Sequence, residues 1–254
     1  VGTGFCGGEG MTLAGGTGTW MTEPVNGVFG GGVFSSNSSP VIKDNVIVDC
    51  GVAEPLDYSA GGAIACVGGN PVIDGNEISS CRAQCGGGIY VYGAWAEIRD
   101  NAISGCSANA EYAGDRRGGG VYVLNGEAAL EGNAIRGSFG YELGGGVCSH
   151  SSRLSMRGDS VCANAASVNG GGVYAEGDSI EIYGVVATGN TAGSSAGGVY
   201  VKSAHLEMAN CVVALNSAMI GGNTEKSGSG SSSSRPKMPR SSATTSSESG
   251  APRW

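Results

Sequence analysis

The chain has 254 residues, of which 49 are glycine, and a formal net charge of −8 at pH 7. That charge argues against a phosphate-binding surface, so nucleic acid is not an expected partner. No apolar run approaches the roughly 18 residues of a membrane span, so no transmembrane segment is expected.

In chain order, residues 1–29 are Gly-rich and only partly periodic, with Phe5, Leu13, Trp20 and Val28 as apolar points. They read as a degenerate or partial N-terminal coil of the repeat that follows. From residue 30 to about 222 the chain is self-similar. A Gly pair followed by apolar or aromatic residues recurs at Gly31, Gly61, Gly87, Gly119, Gly145, Gly171 and Gly197, in steps of 30, 26, 32, 26, 26 and 26 residues. A period in that range is the mark of a solenoid. Each copy carries an apolar point (Ile42, Ile73, Ile98, Leu130, Met156, Ile182, Met208) and, three residues on, Asn45, Asn76, Asn101, Asn133 and Asp159, lapsing to Val185 and Cys211. A further column reads Cys50, Cys81, Cys106, Ser138, Asn164, Asn190 and Asn216. The runs between these points are short, β-branched and broken by Gly, Asn or Ser, with no apolar period long enough for a helix. The expected fold is all-β, a parallel solenoid of seven to eight coils, each of about 26 residues. Equivalent residues then stack about 4.8 Å apart, with Asn side chains hydrogen-bonding along their column.

Two coils carry inserts ahead of the next Gly pair, residues 51–60 and 107–118. They should emerge at one corner, and solenoid inserts tend to collect on one face, often the binding face. From residue 223 to 254 the pattern stops in a Ser-rich stretch, read as a disordered tail or as a slipped reading frame. With no initiator Met, the chain reads as a fragment whose solenoid continues in neighbouring sequence, any signal peptide having been removed or never included.

The GGGIY, GGGVY and AGGVY starts, the NVI, NEI and NAI steps and the segment GNTAGSSAGGVY resemble right-handed parallel β-helix repeat proteins. The alternation of Gly pairs with Asn-rich turns is also similar to polymorphic outer-membrane proteins and autotransporter passengers, although their FxxN motif is absent. The resemblance implies a right-handed, single-stranded parallel β-helix over about residues 30–222, in an extracellular or cell-surface setting. For activity it leaves the field open, because the scaffold carries pectate-lyase-like enzymes, adhesins and plain spacers.

Nine cysteines without a CxxC pair, and only two histidines, give no metal site; no cofactor is expected. Cys50, Cys81 and Cys106 share a column at a spacing that disulfides accept, or they are small buried residues in a slot that Ser and Asn occupy elsewhere. After each Gly pair, period-two alternation should turn Phe34, Ile64, Tyr90, Tyr122, Cys148, Tyr174 and Tyr200 outward, followed by Ser36, Cys66, Tyr92, Leu124, His150, Glu176 and Lys202. A tyrosine stack offers flat rings with polar tips, suited to sugars. Tyr58, Tyr112, Asp115, Arg116 and Arg117 from the inserts would wall it. The competing reading is an aromatic ladder that only supports packing. For acid–base chemistry the best group is His150, Glu176 and Lys202 on consecutive coils, although a solvated charge row is the favoured reading of the three, and no catalytic residue is assigned. The sequence therefore predicts a secreted or surface binding protein, with a polysaccharide or a cell-surface ligand as partner. A carbohydrate-active enzyme with an incomplete catalytic part is the alternative, and a passive spacer the third reading.

Overall fold

Four short strands per coil wind into stacked parallel sheets, because each run of alternation is cut after two to five residues by a corner. The computed structural model describes residues 8–22, 26–52, 58–109, 116–220 and 224–226. The first sheet stacks Val33–Ser36, Ile64–Val67, Ile89–Tyr92, Val121–Leu124 and Val147–His150. The second stacks Val41–Lys43, Val72–Asp74, Trp95–Arg99, Glu127–Glu131 and Arg153–Arg157. In the next two coils the corner between them straightens, and both sheets merge through the 11-residue strands Val173–Tyr183 and Val199–Ala209. A third sheet of eight strands runs from Thr12–Ala14 to Val212–Ala214, and a fourth, of six short strands, from Arg82–Ala83 to Ser217–Ile220.

Residues 8–14 already stack on the first full coil, Gly8 opposite Ile42 and Leu13 opposite Ile47. Thr19–Met21 then pairs antiparallel with Gly27–Phe29, which in turn lies parallel to Tyr58–Ala60.

The corners explain the glycine content. The residue before each Asn of the first ladder sits in the left-handed region: Asp44, Gly75, Asp100, Gly132 and Gly158. Only Gly, and at lower frequency Asn or Asp, occupies that region without strain. At Gly87 the constraint is space, since a Cβ would lie 2.5 Å from the backbone of Ser107.

Inward residues form one continuous core. Ile47, Ile73, Ile78, Ile98, Ile103 and Ile135 are all fully buried within it, at roughly 1.5–3 kcal/mol of transfer free energy for each such side chain. No single coil could exclude water from these columns, so stability is shared between neighbours.

The sequence places the second coil one residue out of register. Val33 faces Ile64 rather than Ala63, and Ser35 faces Cys66. The tripeptide Gly61-Gly62-Ala63 is the equivalent of Gly86-Gly87-Gly88, with Gly61 and Gly86 both at positive φ. Ile64 and Cys66 therefore point inward, and Ala65 and Val67 outward.

Candidate functional site

Two polar ladders fix the coils against each other. In the first, the Asn45 side-chain amide donates to Asn76 Oδ1 at 3.1 Å, Asn76 to Asn101 at 3.0 Å, Asn101 to Asn133 at 3.0 Å, and Asn133 to Asp159 at 2.8 Å. The backbone N–H of each donates to the same acceptor oxygen. Asp159 ends the run, and burial pushes its carboxyl up to about 6 against the opposing pull of its Asn133 and Arg157 donors. A second ladder begins at Ser138, whose N–H donates to Asn164 Oδ1, and continues through Asn190 to Asn216. Its residues were visible in sequence as a column; that they bond as a ladder follows from their burial.

In the first three coils this second column is Cys50, Cys81 and Cys106, which are free thiols. They stand unbonded, as the reading of small buried residues in a packing slot expects. The thiol of Cys81 donates to Ser79 O at 3.3 Å and that of Cys106 to Ser104 O at 3.6 Å, as small buried residues in a packing slot.

The tyrosine column does point away from the core, yet its N-terminal part is not an open surface. Tyr90 is 1% exposed and Tyr122 0%. They belong to a second apolar cluster with Phe29, Cys85, Cys148 and Tyr174, against which Tyr58, Tyr92, Leu143 and Tyr200 pack. The chain between coils covers the sheet. Tyr58 lays its ring 6.3 Å from that of Tyr90, with the two hydroxyls 3.2 Å apart. The ends of the inserts thus form a roof over the column rather than a wall beside it. Tyr122 Oη is enclosed without a well-aligned hydrogen bond, and burial raises its pKa far above that of a free phenol. Arg116 stacks on the Tyr141 ring at 3.5 Å and Arg117 lies 3.5 Å from Glu142. Tyr112 and Asp115 lie outside the described residues.

Towards the C-terminal coils the cover ends. The rings of Tyr174 and Tyr200 stack at 5.1 Å and 5°, and Tyr200 is partly exposed. Beside them His150, Glu176 and Lys202 do come together, on three successive rungs. Glu176 accepts from Tyr174 Oη at 2.7 Å and from Lys202 Nζ at 2.8 Å. His150 Nδ1 stands 3.3 Å away, an ion-pair distance without hydrogen-bond alignment. Burial pushes the Glu176 carboxyl up, but the Lys202 and Tyr174 hydrogen bonds outweigh it and hold the pKa below the usual carboxylate value. Glu176 is thus a fixed anion with two hydrogen-bond donors on it and His150 beside it.

A family model described as a right-handed beta helix region matches residues 5–161, well over half of the chain. The chain belongs to the right-handed β-helix family. No curated protein and no solved structure matches it. Among the described residues no cluster of His, Cys, Asp or Glu could hold a metal ion, and no helix is long and apolar enough to cross a membrane. In this β-helix a cavity of about 670 Å³ is lined by residues such as Leu13, Val33 and Ile42 at the N-terminal end, away from the charged rungs.

Proposed function

We propose that this β-helix is a non-catalytic recognition module of a secreted or surface-displayed protein. In this reading it binds polysaccharide on the C-terminal part of the first sheet's outer face. The observation that carries the reading is the stacked Tyr174–Tyr200 pair, with one partly exposed ring bordered by Lys202, Glu176 and His150. An aromatic platform beside fixed donors and acceptors suits a sugar ring, which presents C–H groups on one face and hydroxyls at its edge. Affinity electrophoresis in gels containing neutral or acidic polysaccharide tests it. Retardation should fall about tenfold in affinity, near 1.4 kcal/mol, in Tyr200→Ala. Unchanged retardation in that variant counts against the site, and no retardation in any gel leaves a spacer.

The enzymatic reading rests on the His150–Glu176–Lys202 group. Glycoside hydrolysis needs a second carboxylate about 5–9.5 Å from the first. The first-sheet strands from Val33 to the rung of Lys202 offer Glu176 alone. Its lowered pKa also makes it a poor proton donor, the opposite of the raised carboxyl such chemistry uses.

A further inference from the structure

A groove of about 370 Å³ lies on the other outer face, that of the second sheet. Its floor is short because Ala129 and Ser155 succeed each other on neighbouring rungs, with Glu97 before them and Glu181 after. One rim is the column Trp95, Glu127, Arg153 and Ser179, which spans roughly 14 Å at the usual strand spacing. Trp95 is 43% exposed although it stands in the middle of a well-packed coil. Its neighbours inward, Ala94 and Ala96, are buried, so the backbone holds the indole out with little freedom.

Charge pairing separates this groove from its surroundings. Next to it Arg99 is tied to Glu97 at 2.7 Å and to Asp74 at 3.3 Å, and Arg157 to Glu181 at 3.0 Å while covering the Tyr183 ring. Glu127, Arg153 and Asp178 line the groove, and none of them has an ion pair among the described residues. An exposed indole, a floor of small side chains and unpaired donors and acceptors on one rim together form a receptor for a flat, hydroxyl-rich ligand.

We infer that this groove is a second saccharide subsite, specific for a neutral sugar chain, with Trp95 as its stacking platform. Glu127 and Asp178 accept hydrogen bonds from vicinal hydroxyls, and Arg153 donates one. Two unpaired carboxylates (Glu127 and Asp178) against Arg153 disfavour a uronate chain. The groove shares the strand Val173–Tyr183 with the Tyr174–Glu176 patch but lies on a different face, so the two are separable by mutation.

The test uses the full chain with Trp20→Phe and Trp254→Phe, which leaves Trp95 as the sole indole. Its emission is titrated with cello-, xylo-, manno- and chito-oligosaccharides, with oligogalacturonate as the acidic control, and calorimetry on otherwise native chain runs alongside. A saturable emission change with at least one neutral oligosaccharide is expected. Affinity read from the Trp95 emission should fall about tenfold or more in Arg153→Ala and in Glu127→Gln. Calorimetric heat should fall in Trp95→Ala to whatever the Tyr200 face contributes, while its unfolding midpoint stays within the range of a surface substitution. The inference is overturned by no response to any neutral chain, by an equal response to oligogalacturonate, or by affinity indifferent to both rim variants.

Discussion

The N-terminal and C-terminal halves of this β-helix solve the same stacking problem with different columns. In the first coils the buried polar ladder lies at the corner between the second and third sheets, and the corner after the third sheet holds thiols. In the last coils those assignments exchange: Val185 and Cys211 take the first column, and Asn164, Asn190 and Asn216 the second. Both columns are polar only where Asn133 and Ser138 are followed by Asp159 and Asn164. The outer face changes over the same stretch, from tyrosines roofed by the chain to a stacked pair of which Tyr200 reaches solvent. A coil needs one polar register pin, and the other column is free to be apolar.

The largest effect should come from breaking a pin. Asn101→Ala strands the buried Asn76 backbone N–H, while the Asn76 side-chain amide keeps Ile42 O and Asp74 O as acceptors. Since an unsatisfied buried donor costs about 1–3 kcal/mol, a loss of that size is expected from urea unfolding. Asn190→Ala should match it in the other half, and the partly exposed Asn216 should cost less. Equal small losses at all three would remove the pinning role.

Next is Asp159, where the first ladder ends. Its folded pKa, about 6, exceeds the usual carboxylate value, so the folded state holds a proton that the unfolded chain has already released. The stability this contributes is complete below about pH 4 and is lost as the pH rises to about 6, on the order of 2 kcal/mol. The difference in unfolding free energy between native chain and Asp159→Asn should therefore vary across that window. A flat difference would mean that the carboxyl is ionised throughout.

A gentler change would extend the second ladder into the first half. Gly88 stands 3.5 Å from Cys106 as Gly146 stands 3.0 Å from Asn164, each measured from an added Cβ. Cys106→Asn should thus be tolerated to within about 1.5 kcal/mol, as volume-conserving core changes generally are. Aggregation or a larger loss on thermal unfolding would show that the thiol column is not an empty version of the Asn column. The smallest effect is expected at Tyr122→Phe, which removes an enclosed hydroxyl with no well-aligned partner. It should leave the midpoint within about 0.5 kcal/mol or raise it.

Much of this fold was legible because a solenoid repeats its own evidence. The Asn45-to-Asp159 column, the Gly corners and the isoleucine core follow from counting alone, since strand periodicity and coil length are both fixed. The misregister at Ala63 arose because Gly86-Gly87-Gly88 holds two overlapping Gly pairs while Gly61-Gly62-Ala63 holds one, and only the shared positive φ of Gly61 and Gly86 shows which are equivalent. The roof over Tyr90 and Tyr122 was not legible. Alternation says which face a side chain leaves from, and nothing about what the connecting chain lays over it. His150, Glu176 and Lys202 were found because they lie in one column. The groove beside Trp95 was missed because its depth comes from Ala129 and Ser155, residues with no chemical signature of their own.

The most direct test of the recognition reading is to incubate the protein with a panel of neutral and acidic polysaccharides, with and without calcium. Retention and new chain ends are scored in the same samples. Retention without new chain ends, reduced in Tyr200→Ala, is the result expected of a binding module built on the open end of the first sheet. New chain ends that disappear in Glu176→Gln would contradict it and make the His150–Glu176–Lys202 group a catalytic site.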